Sequence, residues 1–232
     1  MGAAFADYDN DGLPDLVITN LALEKWAVYR NDGGGRFSYA TMATGMAALT
    51  ARTSGWGVGL YDFDNDGWKD VFAARSHVLD NVERINPSLH YLEAPALFCN
   101  VQGKTFETCD LGPLPAVAGR GAAVGDLNND GVLDAVVAVL GGRPLVIFGA
   151  AECEPLLTLE LSGTRGNRGG IGARCGLAGS GSTRLHREAI SRRAMRACIS
   201  GWEKTRTQRW KSSGRVAGGS CWKISPPIVS SR

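Results

Sequence analysis

One pattern, Asp-x-Asp/Asn-x-Asp-Gly-x-x-Asp, constrains this chain more than any other feature, because it occurs three times. The first copy is Asp7-Tyr8-Asp9-Asn10-Asp11-Gly12-Leu13-Pro14-Asp15. The second is Asp62-Phe63-Asp64-Asn65-Asp66-Gly67-Trp68-Lys69-Asp70, and the third is Asp126-Leu127-Asn128-Asn129-Asp130-Gly131-Val132-Leu133-Asp134. Each follows a small-residue run (GAAFA, GVGLY, GAAVG) and leads into an apolar one rich in Val, Ile and Phe. That order reads as strand, turn, strand.

The loop chemistry suits a hard cation. Oxygens at positions 1, 3 and 5, a main-chain carbonyl at 7 and a carboxylate at 9 can surround Ca²⁺ with about six or seven donors. The candidate ligands are therefore Asp7, Asp9, Asp11, Leu13 and Asp15 in the first loop. In the second they are Asp62, Asp64, Asp66, Trp68 and Asp70, and in the third Asp126, Asn128, Asp130, Val132 and Asp134. Leu13, Trp68 and Val132 would contribute only their carbonyls. Glycine at position 6 allows the sharp turn that brings the donors inward. An EF-hand shares this opening but needs a bidentate acid at position 12. Ile18, Ala73 and Val137 stand there instead, so the EF-hand is excluded. A plain turn is the competing reading, since Asp-Asn-Asp-Gly joins strands without any metal. Three copies with an acid at position 9 weigh against it, because a turn has no evident use for that acid. Clustered carboxylates without a cation would also repel.

Charge divides the chain. Residues 1–175 hold 13 Lys+Arg against 21 Asp+Glu, whereas residues 176–232 hold 12 against 2. The acidic part reads as one composition and the basic tail as another. No stretch has the roughly 20 apolar residues a membrane span needs. The first residues run straight into the first loop without a signal-peptide pattern. Since the chain opens in mid-repeat, an upstream part is expected. Six cysteines in irregular spacing define no disulfide scaffold. Cys99 and Cys109 are left either bridged across one strand pair or free.

The acidic loops begin 55 and then 64 residues apart. Tyr29 to Phe37 holds a Gly-rich turn between aromatic residues and aligns with the segment Leu97 to Phe106; both read as hairpins. Residues 45–57 read as a connecting loop, and residues 75–95 as an insertion. Units of this length with several short strands suggest propeller blades.

These units resemble FG-GAP/VCBS repeats, the calcium-loop blades also found in integrin α-subunits. The residues that carry the resemblance are Ala4 to Gly12, Tyr29 to Gly33, and His77 to Asn81 with Leu97-Phe98. Leu159 to Arg174, with Asn167-Arg168-Gly169-Gly170-Ile171-Gly172-Ala173-Arg174, is similar to the opening of an ASPIC/UnbV domain, as in cartilage acidic proteins. The resemblance covers residues 1–175. It implies an all-β fold: a partial β-propeller of about three blades over residues 1–150, then the start of an ASPIC/UnbV β domain over 155–175. It departs at Arg75-Ser76, where the family has Asn-Gly, and at Asn128, which replaces an Asp. Three blades also fall short of the about seven that close such a ring, and an open stack exposes its edges.

The tail, residues 176–232, shows no strand periodicity and is expected to be disordered. A one-base shift of reading frame from Gly201 permits codons for an acidic turn, an alternating strand and W-P-S-G-R, similar to an ASPIC/UnbV ending. The tail is therefore expected to be frameshifted. The function implied is a non-enzymatic calcium-binding module of an extracellular, cell-surface or periplasmic protein. Its partner would be an extracellular protein or glycan, with no nucleic acid and no membrane insertion. Two alternatives remain: an accessory fragment of a larger secreted enzyme, and a basic tail that binds nucleic acid. Against an enzyme, His77 and His90 lie in no nucleophile or metal motif, and His77 reads as a packing or loop-fixing residue. The Gly-rich segments also lack the ending of a phosphate-binding loop.

Overall fold

The computed structural model describes residues 1–149 apart from Asn65, Asn129 and Gly131. Residues 1–64 and 68–151 form one compact unit. In the second unit only the backbone of short strand pairs is described: Leu156–Leu159 with Met195–Cys198, Leu161–Gly163 with Trp222–Ile224, and Cys175–Leu177 with Trp210–Ser212. The expectations for the ASPIC/UnbV segment and the basic tail otherwise lie outside the described residues.

The first unit is all-β and built by repetition. Strands β1 (Ala3–Ala6), β2 (Asp15–Ile18), β3 (Ala27–Gly33) and β4 (Arg36–Tyr39) form one antiparallel meander in chain order. Strands β5 (Gly55–Tyr61), β6 (Asp70–Arg75), β7 (Ala96–Val101) and β8 (Thr105–Cys109) form the second. Strands β9 (Gly119–Gly125), β10 (Asp134–Val139) and β11 (Leu145–Ile147) form the third. In each sheet the acidic pattern is the hairpin between the first two strands. The register repeats as well: Ala6 pairs with Asp15, Tyr61 with Asp70, and Gly125 with Asp134. Every position-9 acid thus starts a second strand.

Alternation along these strands gives each sheet two apolar faces, and the sheets stack on them. Val17 and Val28 of the first sheet are fully buried against Leu60, Val71 and Phe98 of the second. Phe72 and Leu97, on the other face of the second sheet, are buried with Ala135 of the third. Burying a side chain of this size stabilises by about 1.5–3 kcal/mol. Trp26 closes the first joint, edge-on to Phe98 at 5.6 Å, and its indole N–H donates to the Thr53 carbonyl at 3.2 Å. Among the described residues the stack does not close into a ring.

Two connections differ from expectation. Residues 45–57 are not all loop: a short helix, α1 (Met46–Leu49), buries Met46 in the first core, and β5 already begins at Gly55. The 75–95 insertion holds a second short helix, α2 (Val82–Ile85), and is pinned by isolated bridges Ser76–Leu92 and Glu93–Val117. Cys99 and Cys109 are bonded, with their Cα atoms 5.7 Å apart. They join β7 to β8 diagonally, since Cys109 lies opposite Leu97.

Candidate metal loops

The first loop is wound by its own carboxylates. Asp7 Oδ2 accepts the Gly12 N–H at 2.9 Å, Asp9 Oδ1 that of Asp11 at 3.2 Å, and Asp11 Oδ1 that of Leu13 at 2.8 Å. Gly12 and Gly67 adopt φ of 94° and 93°, the left-handed turn expected of position 6. The result brings carboxylate oxygens of Asp7, Asp9 and Asp15 within 4.8 Å of one another. Asp62, Asp64 and Asp70 form the same group in the second loop. Asp11 and Asp66 are not among the grouped carboxylates. Leu13 and Trp68 are half-buried at the position-7 bend.

Oδ1 of Asp7 is buried and has no hydrogen-bond partner. A buried carboxylate oxygen costs free energy unless something compensates it. The equivalent oxygen of Asp62 is buried too. All the side-chain donors are oxygens, the set that hard cations prefer. The first two loops therefore fit Ca²⁺.

The third loop differs. Asn128 turns its amide onto Asp130, donating to Oδ2 at 2.7 Å. The Asp130 N–H is shared between Asp126 Oδ1 at 3.2 Å and Asn128 Oδ1 at 3.1 Å, and the Val132 N–H goes to Asp130 Oδ1 at 2.7 Å. Among the described residues no three acids gather there. One Asp-to-Asn change supplies a donor where the other loops have only acceptors.

The position-9 acids have a further role that sequence reasoning missed. Asp15 accepts the N–H groups of Tyr8 and Asn31 at 2.9 and 2.8 Å. Asp70 accepts those of Phe63 and Asn100 at 2.8 and 2.9 Å, and Asp134 those of Leu127 and Gly149 at 2.7 and 3.0 Å. Each clasps its loop to the third strand of its sheet, or to the residues that follow it. A turn does have a use for this acid, so three copies do not by themselves require a metal. What points to a cation is the crowding. Burial pushes Asp15 and Asp70 up to about 7, against the pull of their two N–H donors, and the neighbouring Asp9 and Asp7, or Asp64 and Asp62, push further. Burial also raises Asp9. A bound divalent ion would neutralise this repulsion and hold the carboxylates ionised.

Three residues other than the candidate ligands belong to the site. The Arg30 guanidinium lies 3.0 Å from Asp9 and 3.7 Å from Asp11. The corresponding residues before the clasped N–H are Cys99 and Phe148, neither of which carries a positive charge. Lys69, buried, donates from Nζ to the Asp7 carbonyl at 2.7 Å. Asn100 donates from Nδ2 to the carbonyls of Tyr8 and Lys69 at 2.9 and 3.0 Å, joining the first two loops. Asn31 repeats part of this, reaching the Pro14 carbonyl at 2.9 Å. The aligned hairpins at Tyr29 and Phe98 held the signal, since Asn occupies the same place in both.

His77 is a loop-fixing residue. Its Nδ1 accepts the Leu79 N–H at 3.1 Å and its carbonyl accepts from Arg120 at 3.3 Å. Arg120 also lies over the Trp56 ring at 4.3 Å.

The fold and loops define an all-β repeat of stacked meander sheets with an acidic hairpin at the same corner of each. A family model described as an FG-GAP-like repeat matches residues 4–73, which take in the first two loops. No curated protein matches the chain. Among the described residues, no helix is long and apolar enough to cross a membrane.

Proposed function

We propose that the chain is a calcium-binding module of an extracellular protein, in which Ca²⁺ in the first two loops locks neighbouring sheets together as propeller-type blades. The observation that carries this reading is the buried Asp7 Oδ1, which lacks a hydrogen bond within a group of three carboxylates. The FG-GAP-like match over the same loops supports it. Asp7, Asp9 and Asp15 would hold one ion, and Asp62, Asp64 and Asp70 the other. The ion supplies positive charge to carboxylates that the fold has already gathered.

The module's role is structural rather than catalytic. Binding to the folded state alone adds stability by mass action. Oxygen-only loops suit the millimolar calcium found outside cells. The third loop, with Asn128 turned onto Asp130, is the weakest of the three. An extracellular protein or glycan is the partner class that goes with such a module.

Calorimetric titration with calcium tests this directly. Two ions are expected to bind the full chain at sub-millimolar to millimolar concentration. Asp64→Ala should remove one and leave the other. Heats no larger than the buffer blank, with the fold intact, would defeat the proposal.

A further inference from the structure

Arg75, where this chain departs from the repeats it resembles, ends β6 at the end of the second sheet opposite its acidic loop, since Asp70 begins the same strand. A cavity of about 310 Å³ lies there, and Arg75 lines it. Leu49 of α1, Phe98 of β7, and Leu111 and Leu114 of the connection from β8 to β9 supply much of its apolar wall. Every lining residue belongs to the first compact unit.

The guanidinium is only partly engaged. Its Nε donates to the Ala94 carbonyl at 2.7 Å, and its Nη1 reaches Thr53 Oγ1 at 3.5 Å. The Glu93 carboxylate stands 3.9 Å from Nη1, and its other oxygen accepts the Ser54 N–H at 3.3 Å. Nη2 has no hydrogen bond or ion pair among the described residues. Burial pulls the Arg75 pKa below its ordinary value, with Glu93 pulling the other way. A half-buried guanidinium short of acceptors favours an anionic one.

Mostly apolar cavities of about 300–1,000 Å³ with a few polar groups are the usual form of small-molecule sites, and this one falls at the small end. The other charged residue of the lining is Asp110. It is exposed, so water and salt screen it, and its Oδ1 already accepts the Gly112 N–H at 2.8 Å. Arg75 therefore sets the charge of the ligand. We infer that the cavity binds a small carboxylate with an apolar body, whose oxygens take the unused N–H groups of Arg75 and whose body lies against Leu49, Phe98 and Leu111. The site is separate from the acidic loops and does not need bound calcium.

NMR titration of the full chain with phenylacetate, followed at the backbone N–H groups of Leu111, Gly112 and Leu114, tests it. A ligand on the order of ten non-hydrogen atoms is expected to bind with a dissociation constant of about 1 mM. Phenylacetamide, which has the same shape without the charge, and phenethylamine, which carries the opposite one, should each bind at least about tenfold more weakly. Arg75→Met should weaken phenylacetate by a similar factor. Leu114→Trp, which fills the cavity from a half-buried loop position, should abolish binding with a melting temperature close to wild type, and it decides the matter even if Arg75→Met does not fold. No shifts with phenylacetate at about 10 mM would overturn the inference, since that is ten times the expected constant. So would an amide that binds as tightly as the acid, or a Leu114→Trp chain that binds like the wild type.

Discussion

The side-chain amide of Asn100, at the centre of the second sheet, donates to the Tyr8 carbonyl in the first acidic loop at 2.9 Å. The same amide reaches the Lys69 carbonyl at 3.0 Å, and its Oδ1 accepts the Gly103 N–H at 2.8 Å. Its own N–H is held by Asp70. One buried residue therefore ties two loops and a hairpin across a sheet–sheet joint. The Tyr8 ring packs on Phe106 of the second sheet at 5.6 Å, so the first loop rests on the neighbouring sheet.

Removing that amide leaves buried carbonyls unsatisfied. Asn100→Ala is expected to destabilise the fold by about 2–4 kcal/mol, from two or three lost bonds at about 1 kcal/mol each plus desolvation. Urea denaturation followed by far-UV circular dichroism reads the loss as a lower midpoint. A midpoint within error of wild type would show that the bridge carries no weight.

Arg30 places a positive charge where an ion in the first loop would exert its own. Exposed pairs of this kind contribute about 0.2–1 kcal/mol. Arg30→Ala is therefore expected to strengthen calcium binding at the first loop by up to about fivefold. The second loop, whose counterpart residue is the bridged Cys99, should not change. Calorimetric titration separates the two if Asp64→Ala is used as the background.

Asp15 and Asp70 give the calcium-free protein a definite pH response. Their folded pKa values, about 7, lie above the unfolded carboxylate value of 3.8. Between those limits the folded state holds more protons than the unfolded state, so stability falls as pH rises. The melting temperature without calcium should decline from about pH 4 to pH 7 and then level off. Calcium competes with those protons, so its affinity should rise across the same window with proton release. A flat melting temperature over that range would contradict the crowding of the two clasps.

Much of the fold was legible because its signals are local. Three acidic turns between small and apolar runs placed β1–β2, β5–β6 and β9–β10, and the aligned aromatic hairpins placed β3–β4 and β7–β8. The helix at Met46–Leu49 was not legible, since a single turn in a small-residue stretch carries no period. The site was legible at its gathered carboxylates Asp7, Asp9, Asp15, Asp62, Asp64 and Asp70. Its supports were not. Asn100 and Lys69 act across a distance of 92 and 62 residues on Tyr8 and Asp7, contacts that only the stacking of sheets creates. The double use of the position-9 acids was hidden for the same reason, because their second donors come from or just after the third strand.

Thermal melting of the full chain at neutral pH, in excess chelator and then in millimolar calcium, bears most directly on the calcium reading. Saturation at 100 times the dissociation constant adds about 2.7 kcal/mol per site, so the melting temperature should rise by several degrees. Most of that rise should vanish in the Asp9→Ala, Asp64→Ala double variant. An equal melting temperature with and without calcium, or a rise that survives in the double variant, would mean that the acidic loops are only clasped turns.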